Sequence, residues 1–172
     1  PGAEYVRVRS EEETLILAKD LAPRVLENFT HNEVTDTLVG RDLVGMEYEP
    51  LFNFAQPTDK AYVVVEADFV TMEDGTGIVH IAPAFGQDDY EIGQKHGLAF
   101  LQLVDLDGKF VDAVEPWAGL FVKEADPKII GALKASGHFY KEEPYKHDYP
   151  FCWRCDTPLL YYAKSSWYIR TT

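Results

Sequence analysis

The chain has 172 residues, 46% hydrophobic, 26% charged and 13% aromatic, enough apolar material for a globular core and too much for a disordered or collagen-like chain. Its 16 Lys and Arg face 29 Asp and Glu, a net charge of −13, which argues against a free-standing nonspecific nucleic-acid binder. No apolar run approaches the roughly 18 to 20 residues that cross a bilayer, and the first residues lack the charged and apolar stretches of a signal peptide, so a soluble chain with no membrane partner is expected.

Alternation in Tyr5-Val6-Arg7-Val8-Arg9 and Leu15-Ile16-Leu17 predicts a hairpin turning at residues 10–13. A short helix is expected over residues 19–28, a strand over 34–39, and a loop between Gly40 and Gly45. Residues 61–70, rich in valine and aromatics, give the strongest strand signal and the expected central strand. Glu73-Asp74-Gly75-Thr76-Gly77 reads as a turn and residues 78–81 as a short strand that Pro83 stops. Asp88 and Glu91 have capping-box spacing, and the helix they open closes at Lys95-His96-Gly97. Strands are expected over 100–104 and 159–169, a turn at 105–108, and a helix over 124–136 with Pro127 in its first turn and Gly137 beyond its end. The sum is an α+β domain, a mostly antiparallel curved sheet or β-barrel with two or three short helices. With no initial Met and a last residue inside an aromatic run, it reads as a piece of something longer.

Charge is uneven along the chain. Residues 1–127 hold 9 basic and 25 acidic groups, whereas residues 128–172 hold 7 and 4. Polyanion contacts, if made, would fall on Lys134, Lys141, Lys146, Arg154, Lys164 or Arg170, each of which also suits a solvated mixed-charge face. The two cysteines, Cys152 and Cys155, cannot staple a fold of this size, so a reducing, cytoplasmic setting is expected. They suit two corners of a tetrahedral zinc site, half of what zinc needs, with His147 as the third candidate. Trp117, Trp153 and Trp167 suit core positions better than base-stacking platforms.

The densest chemistry lies between Gly75 and Tyr90, where two glycines, His80, a proline break and the acidic helix start at Asp88 and Asp89 fall within sixteen residues. Asp88 suits a cap, Asp89 the helix dipole, and His80 a half-buried side chain, but strand end, loop and helix start also converge there. The string GTGIVHIAPAFGQDDYEIGQKHGL closely resembles the editing-domain signature of isoleucyl-tRNA synthetases, in which a GTG turn precedes H-x-A-P-x-x-G and an aspartate nine residues after the histidine. The stretch from Tyr149 through Cys152-Trp153-Arg154-Cys155 to Ser166-Trp167-Tyr168-Ile169 resembles the segment where that family's chain returns to its nucleotide-binding core.

The resemblance implies the class I synthetase editing-domain fold, with residues 1–148 as editing domain and 149–172 as return segment. It implies hydrolysis of valine from mischarged tRNA(Ile), or of valyl adenylate, by a positioned water. A pocket that admits isoleucine rejects valine by only about 1 to 3 kcal/mol, a magnitude established on these synthetases themselves, so a second and smaller site is required. Asp89 matches the aspartate that binds the substrate α-ammonium group, and His80 the histidine that bounds the side-chain pocket, with Ala82 and Phe85 beside them as substrate-binding positions. Developing charge on the carbonyl oxygen needs only backbone N–H donors, and no Ser/His/Asp nucleophile arrangement is evident.

The partners implied are the tRNA(Ile) acceptor end, the valine moiety and the catalytic core of the same protein. No cofactor is expected in this stretch. In some relatives a second C-x-x-C completes a zinc site with the first. The family's threonine-rich W-T-T-T-P-W-T pocket motif and the HIGH-like and KMSKS-like aminoacylation motifs have no counterpart here, so weak deacylation and no amino-acid activation are expected from this stretch alone. A noncatalytic module that binds the tRNA acceptor end is the alternative, and a zinc-dependent hydrolase a third reading.

Overall fold

The computed structural model describes residues 1–10, 13–27, 29, 31–144, 148–167, 169 and 171. The expected turn at Glu11 and Glu12, the helix end at Asn28, and the readings of Lys146, His147, Tyr168 and Arg170 lie outside the described residues. The chain divides into two compact units, one of residues 1–49 and 60–81 and the other of residues 50–59 and 82–172. Among the described residues no helix is long and apolar enough to cross a membrane.

The first unit is built on β1 (Glu4–Ser10), β2 (Glu13–Ala18) and β3 (Asn32–Val39), an antiparallel sheet in the order β2-β1-β3. Alternation sends the side chains of β1 to opposite faces. Val6 and Val8 join Leu17, Ala22 and Leu26 in one cluster, and Tyr5 joins Ala18, Leu21 and Leu43 in another. Pairing runs from Tyr5 opposite Ala18 to Ser10 opposite Glu13, the expected hairpin. Against β3 the register shifts between Arg7 and Val8, which face Asp36 and Val34, so Thr35 is the extra residue of a bulge. Its hydroxyl donates to the Arg7 carbonyl at 3.2 Å.

The expected helix after β2 is a 3-10 turn (Lys19–Leu21) followed by α1 (Ala22–Val25). The expected loop after Gly40 contains the short α2 (Gly40–Leu43), whose Asp42 carboxylate reaches back to the Val39 N–H at 3.1 Å. The fold is α+β as expected. Among the described residues the sheet is open, not a closed barrel, and its centre is β1 rather than residues 61–70.

Residues 61–70 pair only locally. The N–H of Tyr48 donates to Tyr62, that of Gly45 to Val64, and that of Val64 to Met46. Tyr62 interrupts the extended run with φ +51°. A run of valines favours a strand only where a partner edge continues, and here the partner stops after a few residues.

The second unit gathers Val114, Trp117 and Ala125 with Phe52, Phe54, Phe110 and Leu120. Phe52 and Phe54 stack at 5.5 Å, and both meet Trp117 edge-on. Its helices are α3 (Gln87–His96) and α4 (Val122–Ala135). Both end as the glycines predict: Gly97 and Gly137 are left-handed, and Leu98 and His138 donate back to Gly93 and Leu133 to close each last turn. Helix α4 starts two residues earlier than expected, which places Pro127 at its sixth residue.

The turn at residues 105–108 is present, with Asp105 Oδ1 accepting from the N–H groups of Asp107 and Lys109 at 2.9 Å. The strand expected over 78–81 has no regular secondary structure and lies outside the sheet, and that over 100–104 reduces to a bridge between Val104 and Phe110. The one expected over 159–169 is irregular where described, and its intended buried face is exposed at Leu159, Tyr161, Trp167 and Ile169. Of the three tryptophans, Trp117 is core and Trp153 and Trp167 are exposed.

Candidate functional site

The segment from Gly75 to Tyr90 crosses from the first unit to the second. Its start is tied to the sheet: the Tyr5 hydroxyl donates to the Gly77 carbonyl at 2.8 Å, and the Ala18 N–H to the Thr76 carbonyl at 2.8 Å. Gly77 has φ +75°, and a Cβ there would overlap the Ala18 Cβ, so the second glycine of the GTG turn is required both by conformation and by space. His80 follows in the first unit as an exposed residue outside the sheet.

Ala82, Phe85 and Asp89 belong to the second unit. The Phe85 N–H donates to the Ala82 carbonyl at 2.9 Å, closing a turn over Pro83 and the buried Ala84. The Ala163 N–H donates to the Ala84 carbonyl at 2.9 Å and pins that turn from outside. Gly86 is the N-cap of α3 and makes no side-chain cap. Asp88, expected as the cap, is therefore inside the first turn and exposed, while Asp89 is half-buried at the third helical position.

Asp89 Oδ2 accepts the Ala82 N–H at 3.2 Å, which brings two of the expected site residues together. Among the described residues Oδ1 accepts no hydrogen bond. The helix start contributes about half a positive charge, against two full negative charges on Asp88 and Asp89. The carboxylates outweigh the helix dipole, so the place favours a cation over an anion. A charge-assisted N–H···O bond to a free carboxylate oxygen is the contact that an ammonium group makes.

Cys152 and Cys155 occupy a tight hairpin. Phe151 bridges Pro158, the Cys152 N–H donates to Thr157, and the Asp156 N–H donates back to Cys152. Asp156 takes φ +58° to close it. Both thiols are free, Cys152 half-buried and Cys155 exposed. The Thr157 hydroxyl lies 3.0 Å from the Cys155 sulfur. Hydrogen bonds from the Thr157 hydroxyl first, then its N–H, then Cys152, pull the Cys155 thiol below its ordinary pKa. No cluster of three or more metal-binding side chains occurs among the described residues. The pair offers two zinc ligands where a closed tetrahedral site needs four.

Of the late basic residues, Lys134 lies over the Phe139 ring at 4.5 Å and Arg154 over Trp153 at 4.7 Å. Lys141 pairs with Glu143. Sequence reasoning missed Gly86 and Tyr5 as residues that shape this segment. The glycine before an acidic helix start was visible, but which side chain it makes room for was not.

No family model matches the chain. Curated relatives match it nearly end to end. It is 56% identical over 169 residues to an isoleucine–tRNA ligase of Clostridium novyi, covering 98% of this chain and 16% of that protein. It is 57% identical over 169 residues to that of Clostridium acetobutylicum, with the same coverage. The isoleucine–tRNA ligase of Bacillus thuringiensis is 46% identical over 172 residues, 100% of this chain and again 16% of the relative. The chain thus spans about one sixth of the length of these relatives, and it corresponds to a segment of the isoleucine–tRNA ligase family.

Proposed function

We propose that the chain is the editing part of an isoleucyl-tRNA synthetase, which hydrolyses valine from mischarged tRNA(Ile) or valyl adenylate. Residues 1–148 carry the editing function and residues 149–172 lead back toward the catalytic core. The observation that carries the reading is the Asp89 carboxylate, half-buried and held by one N–H at 3.2 Å, with its other oxygen available to a cation.

In this reading, which follows the family resemblance, Asp89 takes the role of the residue that grips the α-ammonium group and His80 that of the residue that excludes isoleucine, one methylene larger. Ala82 and Phe85 are the further substrate-binding positions of this reading. The ester carbonyl is attacked by water, and backbone N–H donors stabilise the charge that develops on its oxygen.

The test is deacylation of valyl-tRNA(Ile) by the full-length ligase carrying Asp89→Ala. A hydrogen bond to a charged group is worth about 1.5 to 3 kcal/mol, so hydrolysis should fall about 10- to 150-fold while isoleucine attachment is unchanged. Undiminished hydrolysis with weakened tRNA binding would favour the acceptor-end binding module instead.

A further inference from the structure

We infer that Gly86 is a positioning residue, kept without a side chain so that the Asp89 carboxylate can lie against the loop at Ala82. The inference rests on the assignment of Asp89 to the substrate ammonium group. The backbone does not demand glycine at this position, because φ −157° and ψ 152° are ordinary extended values. Space does. A Cβ on Gly86 would stand 3.3 Å from both Cγ and Oδ2 of Asp89, closer than an ordinary van der Waals contact. The crowded atom, Oδ2, is the one that accepts the Ala82 N–H at 3.2 Å.

An acidic side chain at the third helical position commonly folds back on the N-cap N–H in a capping box. Asp89 instead reaches seven residues back, across the turn at Pro83, and Gly86 leaves that route open. Gly93 extends the same face of α3. A Cβ there would meet Pro83 Cβ at 2.8 Å and Cγ at 3.0 Å, although glycine is the weakest helix former after proline. Two glycines seven residues apart therefore let the loop of residues 82–86 lie directly on the helix, and Gly86 is the one that touches the carboxylate.

The experiment is steady-state deacylation of valyl-tRNA(Ile) by the full-length ligase with Gly86→Ala and, in parallel, Asp89→Ala, with isoleucine aminoacylation as the reading of a folded protein. Displacing the ammonium partner weakens ground-state and transition-state binding alike, so Gly86→Ala should raise KM at least about fivefold with kcat within about twofold of the parent. A merely structural glycine would lower kcat through a smaller active fraction and leave KM unmoved, which would overturn the inference. A Gly86→Ala protein that no longer aminoacylates would also overturn it, since one movable carboxylate cannot unfold the ligase. If Asp89→Ala impairs editing and Gly86→Ala does not, this inference alone fails. If Asp89→Ala is itself silent, the reading beneath it fails. Amide exchange in the full-length ligase gives a readout independent of activity: Gly86→Ala should speed exchange at Ala82 about tenfold or more, and unchanged protection would contradict the inference.

Discussion

The Tyr5 hydroxyl donates to the Gly77 carbonyl at 2.8 Å, joining the second residue of β1 to the turn before His80 across 72 residues of sequence. Tyr5→Phe keeps the ring in its cluster and leaves the carbonyl of the buried Gly77 without that donor, at a cost of about 1 to 3 kcal/mol. Burial also raises the phenol above its ordinary pKa. The folded state therefore favours the neutral phenol: its contribution is complete below the unfolded value near 10 and is lost as pH rises through the higher folded value. Urea unfolding of the parent should show this alkaline loss, and Tyr5→Phe should show a lower midpoint with a shallower alkaline limb.

Gly77→Ala combines two penalties. A left-handed non-glycine residue costs about 1 to 2 kcal/mol, and the new methyl would overlap Ala18. Adding Ala18→Gly removes the overlap and leaves the conformational cost. Thermal melts should therefore show the double variant more stable than the sum of the two single changes allows, and strict additivity would contradict the close packing of this turn on β2.

Thr157 sets the reactivity of Cys155. With Thr157→Val the hydroxyl that stabilises the thiolate is gone, so the pH midpoint for alkylation of Cys155 should move upward while Cys152 is little changed. Iodoacetamide labelling followed by peptide mass analysis, on metal-free protein, measures both sites at once. An unmoved Cys155 midpoint would show that the threonine contact does not control the thiol.

His80 is exposed, three residues after Gly77 and outside the sheet. If its imidazole excludes the larger substrate, His80→Ala in the full-length ligase should begin to hydrolyse isoleucyl-tRNA(Ile), with a gain of up to about 10- to 150-fold for one methylene of relaxed exclusion. Retained discrimination would remove His80 from the pocket wall.

Local signals in the sequence were legible where a partner was also local. The β1–β2 hairpin follows from alternation on both sides of one acidic turn, and α3 and α4 end at the left-handed glycines that the sequence marks. The valine-rich residues 61–70 misled because strand propensity says nothing about the length of the edge they meet. Residues 159–169 misled for a related reason: alternating aromatics describe a face, and Trp167 is fully exposed. Asp89 was legible as a helix-start acid. Its bond to Ala82 was not, since only the folded turn at Pro83 sets that distance.

The most direct measurement compares hydrolysis of valyl-tRNA(Ile) with that of the same ester lacking its amino group, 3-methylbutanoyl-tRNA(Ile), by the full-length ligase and its Asp89→Ala variant. The inductive pull of the ammonium group on the ester acts equally in both proteins, so the parent's preference for the aminated ester should exceed the variant's by about 10- to 150-fold. An equal preference in parent and variant would show that Asp89 does not hold the ammonium, and the account built on it would be wrong.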